Sequence, residues 1–190
     1  PFSQQMDVGF FEFGSERVTD NATPNYSQGE RLWCHPGLRP LSQLQDTVSS
    51  PIGAYRWEFT DQALTQQLLL EDEGNPATVE QGHAAIRYVN PTTGRDVMPT
   101  IRCEFHRLRP GVETPARQEV GSSVFQVFEG SGSVVLNGET KKLTKGDLFV
   151  VPSWVAWSLQ AESQFDLFRF SDAPIMEALS FMRSKVEGLQ

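Results

Sequence analysis

Cysteine, histidine and positive charge are all scarce in this chain. Two cysteines in 190 residues, Cys34 and Cys103, exclude a disulfide framework. Cys103 falls in an alternating apolar stretch and reads as a small buried hydrophobe. Cys34 stands beside His35, but no second pair follows at zinc-finger spacing. A reducing, cytoplasmic setting fits this usage. Lys and Arg number 16 against 24 Asp and Glu, a net charge of −8. With no basic cluster, nucleic acid and anionic membrane surfaces are poor partners. No apolar run approaches the roughly 20 residues of a bilayer span, and no basic-then-apolar segment opens the chain. Of the three histidines, His35 and His83 have no partner by spacing, whereas His106 shares a strand face with Glu104.

What is present is an ordinary globular composition, 38% hydrophobic and 21% charged. Residues 1–55 are mixed in pattern, broken by Gly, Pro and Asn, and read as a connector or arm. A helix is expected near 60–71, with Thr60 as N-cap, Leu64 and Leu68 on one face, and Gly74 and Pro76 closing it. From residue 84 the period changes to two. Strands are expected over 84–89, 100–108, 123–128, 133–136, 139–143, 148–151, 154–159 and 166–170. Asn137-Gly138 is a strong hairpin signal, and Lys145 to Asp147 is another tight turn. Pro174 then suits a helix start, and Ile175, Leu179, Met182 and Val186 recur at helical spacing.

Short strands and glycine turns in this density indicate an all-β jelly roll. The expected organisation is an arm over 1–80 with its helix, a barrel over 81–172, and a C-terminal helix over 173–190.

Gly111, Gly130, Gly146 and Pro152 follow the spacing of a two-part cupin motif. Around that frame lie residues 88–94 (YVNPTTG), 98–100 (MPT), 108–111 (LRPG), 129–132 (EGSG), 145–154 (KGDLFVVPSW) and 167–174 (LFRFSDAP). Together with 50–57 (SPIGAYRW), this series resembles the carboxy-terminal cupin of the bicupin ring-cleaving dioxygenases of the gentisate 1,2-dioxygenase type. The resemblance implies a double-stranded β-helix and a parent enzyme that opens an aromatic ring with Fe(II) and O2. It further implies that the iron sits in an N-terminal cupin upstream of Pro1, and that this chain partners that cupin in a homo-oligomer.

Carried onto this sequence, the family's His-x-His positions fall on Arg117 and Glu119, its Glu near Ser123, and its last His on Trp157. A guanidinium has no lone pair to give a metal, an indole N–H only donates, and one carboxylate does not hold Fe(II) selectively. No cofactor is therefore expected in this chain, which reads as a scaffold inactive alone. Arg117 and Glu119 share a strand face and are expected to pair with each other. Trp157, Trp154, Phe125 and Phe149 are expected to fill the barrel. A lone half should also expose apolar patches, with residues 1–50 as the docking element.

Other readings stand beside this one. An independent metal-free cupin would bind a small carboxylate in a pocket of Arg117, Glu119, Trp157 and His106. Retained activity would need unusual ligands such as Glu104, His106 and Glu119. The parent's substrate could equally be salicylate or 1-hydroxy-2-naphthoate.

Overall fold

A computed structural model describes residues 55–90 and 93–187. The docking role expected of residues 1–50, and Cys34 with His35, lie outside the described residues. The chain divides into two compact units, Pro1–Tyr55 with Val89–Met98, and Arg56–Tyr88 with Pro99–Gln190. Within the first, Val89 bridges Asp96, and the Tyr55 hydroxyl donates to the Val89 carbonyl at 2.8 Å.

The second unit runs α1 (Trp57–Asp72), β1 (His83–Arg87), β2 (Arg102–Leu108), β3 (Arg117–Glu119), β4 (Ser123–Glu129), β5 (Ser131–Leu136), β6 (Glu139–Thr144), β7 (Leu148–Val151), β8 (Trp157–Ala161), β9 (Phe165–Ser171), α2 (Ala173–Ala178) and β10 (Ser184–Val186). Its strands form two antiparallel five-stranded sheets, ordered β1-β2-β9-β4-β7 and β10-β3-β8-β5-β6. This is the cupin jelly roll that the strand density and glycine frame indicate.

Period-two alternation makes the sandwich. Leu108, Phe125, Val127, Leu159, Phe165 and Leu167 point between the sheets and are almost fully buried. The opposite face of the first sheet is partly covered by α1, through Leu64, Leu68, Ala84 and Phe105. A buried fork locks that helix down. Arg107 donates to both oxygens of Asp166, at 2.9 and 2.7 Å, and to Thr65 on α1 at 3.0 Å. The β5–β6 hairpin turns at Asn137 (φ 48) and Gly138 (φ 84), the double positive φ of the turn that Asn-Gly favours.

Two expectations are corrected here. The first helix begins at Trp57, with Arg56 at its N-cap and no side-chain cap. Thr60 is instead buried, its hydroxyl 2.9 Å from that of Tyr88. Trp57 packs on Phe105 and Phe128, at ring separations of 5.1 and 4.4 Å. That tertiary contact draws the helix start upstream and makes α1 part of the barrel unit rather than of an arm.

The C-terminal helix expected over 173–190 is only six residues long. Beyond it the chain turns at Ser180 (φ 58) and pairs as β10 with β3, with Lys185 opposite Gln118. An open strand edge supplied better partners than another helical turn: Val120 N–H donates to Arg183 at 2.9 Å and Glu187 N–H to Ala116 at 2.8 Å. Leu179 and Phe181 remain exposed, so the helical periodicity of that segment does not report a buried face.

Candidate functional site

The same alternation that buries Leu108 sends Glu104 and His106 of β2 between the sheets. Strand register then fixes their neighbours. Glu104 lies opposite Arg169 of β9, and Arg169 lies opposite Phe125 of β4. On the second sheet, Arg117 of β3 lies opposite Trp157 of β8. His83 opens β1, and the turn before it supplies Glu80, whose backbone bridges His83.

Arg169 is the hub. It donates to Ser123 Oγ through Nε and Nη2, at 3.1 and 2.8 Å, and to Glu119 through Nη2. Its Nη1 stands 3.1 Å from Glu104 Oε2. Its guanidinium lies over Phe125 and Trp157, at 5.4 and 5.6 Å from the ring centres, a cation–π arrangement. Phe125 stacks flat on Phe149 at 4.8 Å. Arg117 donates to Glu80 and also sits over the Trp157 ring, at 5.6 Å. Glu80 Oε2 is 3.4 Å from His83 Nδ1, and His83 Nε2 is 3.0 Å from His106 Nδ1. His106 Nε2 faces Glu104 Oε2 at 3.7 Å, and neither atom has a hydrogen-bond partner.

Burial would push the Glu104 carboxyl up, but the His106 contact and the Arg169 charge outweigh it and hold it down to about 2. Burial likewise disfavours charge on His106, and its pKa falls to about 4 against the lift from Glu104. Both groups then bind fewer protons folded than unfolded. The His106 contribution to stability is complete above 6.5 and fades as the pH falls toward 4. That of Glu104 is complete above 4.5 and fades toward 2. Urea midpoints should therefore fall steadily as neutral buffer is acidified, and His106→Gln should flatten the upper part of that decline. An unchanged profile in the variant would show that His106 does not cause it.

Fe(II), which the sequence resemblance implies for the parent, does not fit this donor set. Arg117 and Trp157 offer no lone pair. Glu119 is taken by Arg169, and Ser123 accepts from the same guanidinium. One ring nitrogen of His83 and one of His106 are turned on each other. Among the described residues, no three His, Cys, Asp or Glu side chains converge as a ligand group.

The structure thus brings Arg117, Glu119, Ser123, Trp157 and His106 into one interior. It does not pair Arg117 with Glu119: each reaches a different partner, Glu80 and Arg169. The two side chains reach different elements, Arg117 the turn before β1 and Glu119 strand β9, so a shared face does not become a shared bond. Trp154 is 44% exposed, with φ 63, and contributes no plug, while Phe125, Phe149 and Trp157 do fill the interior. The unusual-ligand set of Glu104, His106 and Glu119 is split by Arg169, which sits against both carboxylates. Arg169 and Glu80 escaped the sequence reading, and His83, expected to have no partner by spacing, instead lies 3.0 Å from His106 because β1 pairs with β2. One signal for Arg169 was available, since it continues the inward alternation Phe165, Leu167 as a lone charge.

No protein-family model matches the chain. Among curated proteins it is 52% identical over 184 residues to a gentisate 1,2-dioxygenase of Streptomyces sp, covering 97% of this chain and 51% of that protein. A 5-aminosalicylate 1,2-dioxygenase of Comamonas sp is 29% identical over 188 residues, at 97% and 48% coverage. Among solved structures, a mutant salicylate 1,2-dioxygenase from Pseudoaminobacter salicylatoxidans in complex with gentisate matches all of the chain with 84% identity and a TM-score of 0.81, over 52% of that chain. The chain spans about half the length of the relatives it matches.

Proposed function

Because this chain matches one half of the gentisate and salicylate 1,2-dioxygenases along nearly its whole length, we propose that it is the carboxy-terminal, iron-free cupin of such a ring-cleaving enzyme. The observation that carries this reading is the occupation of the inherited ligand positions by Arg117, Glu119 and Trp157, each engaged in one connected ion-pair and aromatic cluster. In this reading Fe(II) and the substrate oxygens meet in the N-terminal cupin, in a cytoplasmic enzyme. This half positions that site and builds the oligomer. No helix among the described residues is long and apolar enough to cross a membrane.

The outer face of the first sheet supports a covered partner surface. On that face Leu148 is 63%, Val150 54% and Phe170 38% exposed, and Phe128 stays 43% exposed beside Trp57. Val124 lies between Val150 and Phe170 in register, which makes the apolar strip continuous across three strands. Such a strip on an edge strand is a liability when uncovered. Its proposed occupant is the N-terminal cupin, which accounts for the missing half of the relatives' length.

The test is a chimera in which this chain replaces the matching half of the Pseudoaminobacter enzyme. Oxygen uptake with gentisate and with salicylate is expected, at one substrate or both. The chain alone is expected to consume no oxygen and to keep no stoichiometric iron after mild chelation. Iron retained by the isolated chain would refute the iron-free assignment, and an inactive but folded chimera would refute the pairing.

A further inference from the structure

Two open sheets have four edge strands, and three of these are blunted. β1 lies under α1, where Gln67 Oε1 accepts the Ala85 N–H at 3.1 Å. β10 is three residues long and carries Lys185, and β6 presents Glu139, Lys141 and Lys142. Helix cover, short length and edge charge are devices by which sheets avoid joining edge to edge. The fourth edge, β7, reads Leu148-Phe149-Val150-Val151 and has none of them.

The register shows which backbone groups β7 leaves free. The Val127 N–H donates to the Asp147 carbonyl at 2.9 Å, and Phe125 lies opposite Phe149. The alternation of an antiparallel pair then turns the backbone groups of Phe149 and Val151 toward β4, and those of Leu148 and Val150 outward. Among the described residues, no turn or loop backbone bonds to Leu148 or Val150.

We propose that β7 pairs antiparallel with β7 of a second copy about a two-fold axis, joining their first sheets into one continuous sheet. Centred on Phe149, this register sets Leu148 of each copy opposite Val150 of the other. Every outward N–H and C=O of these two residues then finds a partner. Shifted one way, Leu148 would face Pro152, which has no N–H. Shifted the other way, Val150 would face Gly146, whose N–H is already given to the Val127 carbonyl at 2.9 Å.

The two ends of β7 also complement each other. Beyond one end stands Trp154, 44% exposed at φ 63. Its N–H donates to the Glu119 carbonyl at 2.7 Å, and its carbonyl accepts from Gln118 Nε2 at 3.0 Å. Before the other end stands Lys145, whose side chain is 65% exposed. Reversing one copy against the other brings the Trp154 loop to the Lys145 turn twice, by symmetry, and an indole beside an ammonium is a favourable pair. A second copy is the occupant because it supplies both halves of that contact at once. Lys141 and Lys142 oppose a matching joint between the β6 edges, which confines the pairing to the first sheet. The joint is made of main chain along the rim, so it leaves the outer face to the other cupin and stands whether or not the domain is iron-free.

Sedimentation equilibrium and NMR-detected hydrogen exchange on the 190-residue chain test this together. A reversible dimer is expected, with the Leu148 and Val150 amides roughly tenfold or more slower to exchange in the dimer than in the diluted monomer. Val150→Pro removes an outward N–H while sparing the ladder to β4, and Val150→Lys charges the edge. Each should weaken dimerisation by about tenfold or more while the Val127 amide stays protected. A chain that remains monomeric at NMR concentrations would overturn the proposal. So would a dimer whose Leu148 and Val150 amides exchange as fast as in the monomer, or one that both folded variants leave intact. Protection of those two amides only in the chimera carrying the N-terminal half would also overturn it, and would assign the edge to that cupin.

Discussion

Replacing Arg169 with methionine should destabilise the chain by about 3–5 kcal/mol, the range for breaking a buried ion pair by removing one partner. The side chain of Arg169 is 10% exposed and holds Glu104, Glu119 and Ser123 at once. Methionine fills similar volume and keeps the contact with Phe125 and Trp157, so the loss reports electrostatics rather than a cavity. Two carboxylates would then share an interior with no cation between them, and one must take up a proton on folding. Arg169→Lys should fall between the two, because an ammonium keeps the charge but cannot reproduce the planar fork. Urea unfolding monitored by tryptophan fluorescence gives the comparison, with an unchanged slope required for the difference to count as stability. A methionine variant within ~0.5 kcal/mol of the parent, the span of ordinary surface substitutions, would mean that the hub holds nothing together.

Gly130→Ala should be worse, with a loss of more than about 4 kcal/mol and little folded protein recovered. Gly130 has φ +88, and a Cβ there would penetrate the backbone carbonyl of Gln164. That carbonyl cannot retreat easily. The flanking residues are fixed, with Glu129 in register with Asp166, and with Glu162 and Ser163 both donating to the Ser131 carbonyl at 3.1 and 3.2 Å. Gly146 is the control. Its φ is +93 but a Cβ would meet nothing within 4 Å, so Gly146→Ala should cost only the left-handed backbone penalty of about 1–2 kcal/mol. Equal losses in the two variants would show that conformation alone, and not the close approach at Gly130, sets the requirement.

Those two glycines illustrate what a sequence can and cannot disclose. Their spacing, with Pro152 and the Asn137-Gly138 turn, was legible because turns depend on local backbone conformation. The unequal demands on them were not, since the obstacle at Gly130 is a carbonyl 34 positions away in the chain. That residues 117 and 157 offer a metal no lone pair follows from residue chemistry alone: arginine and tryptophan are the wrong bases wherever they point. Their partners do not follow from it. Arg117 and Glu119 look like a pair at a spacing of two, but bonding is decided by Glu80 in a turn and Arg169 on another strand, and neither position carries a local signal for its neighbour. The C-terminal segment failed for a related reason. Its helical period is real, yet the vacant edge of β3 competes for the same backbone groups and wins.

The interior cluster carries a consequence for how such a domain changes over time. Its parts answer for one another: Arg117 for Glu80, Arg169 for Glu104 and Glu119, Trp157 for both guanidiniums. A histidine placed at 117 would strand Glu80, and one placed at 157 would remove the indole beneath two cations. Each such single substitution therefore loses stability before any complete ligand set exists to bind a metal. In the proposed reading, surrendering the iron was a ratchet, and the route back requires several coordinated substitutions rather than a sequence of tolerated ones.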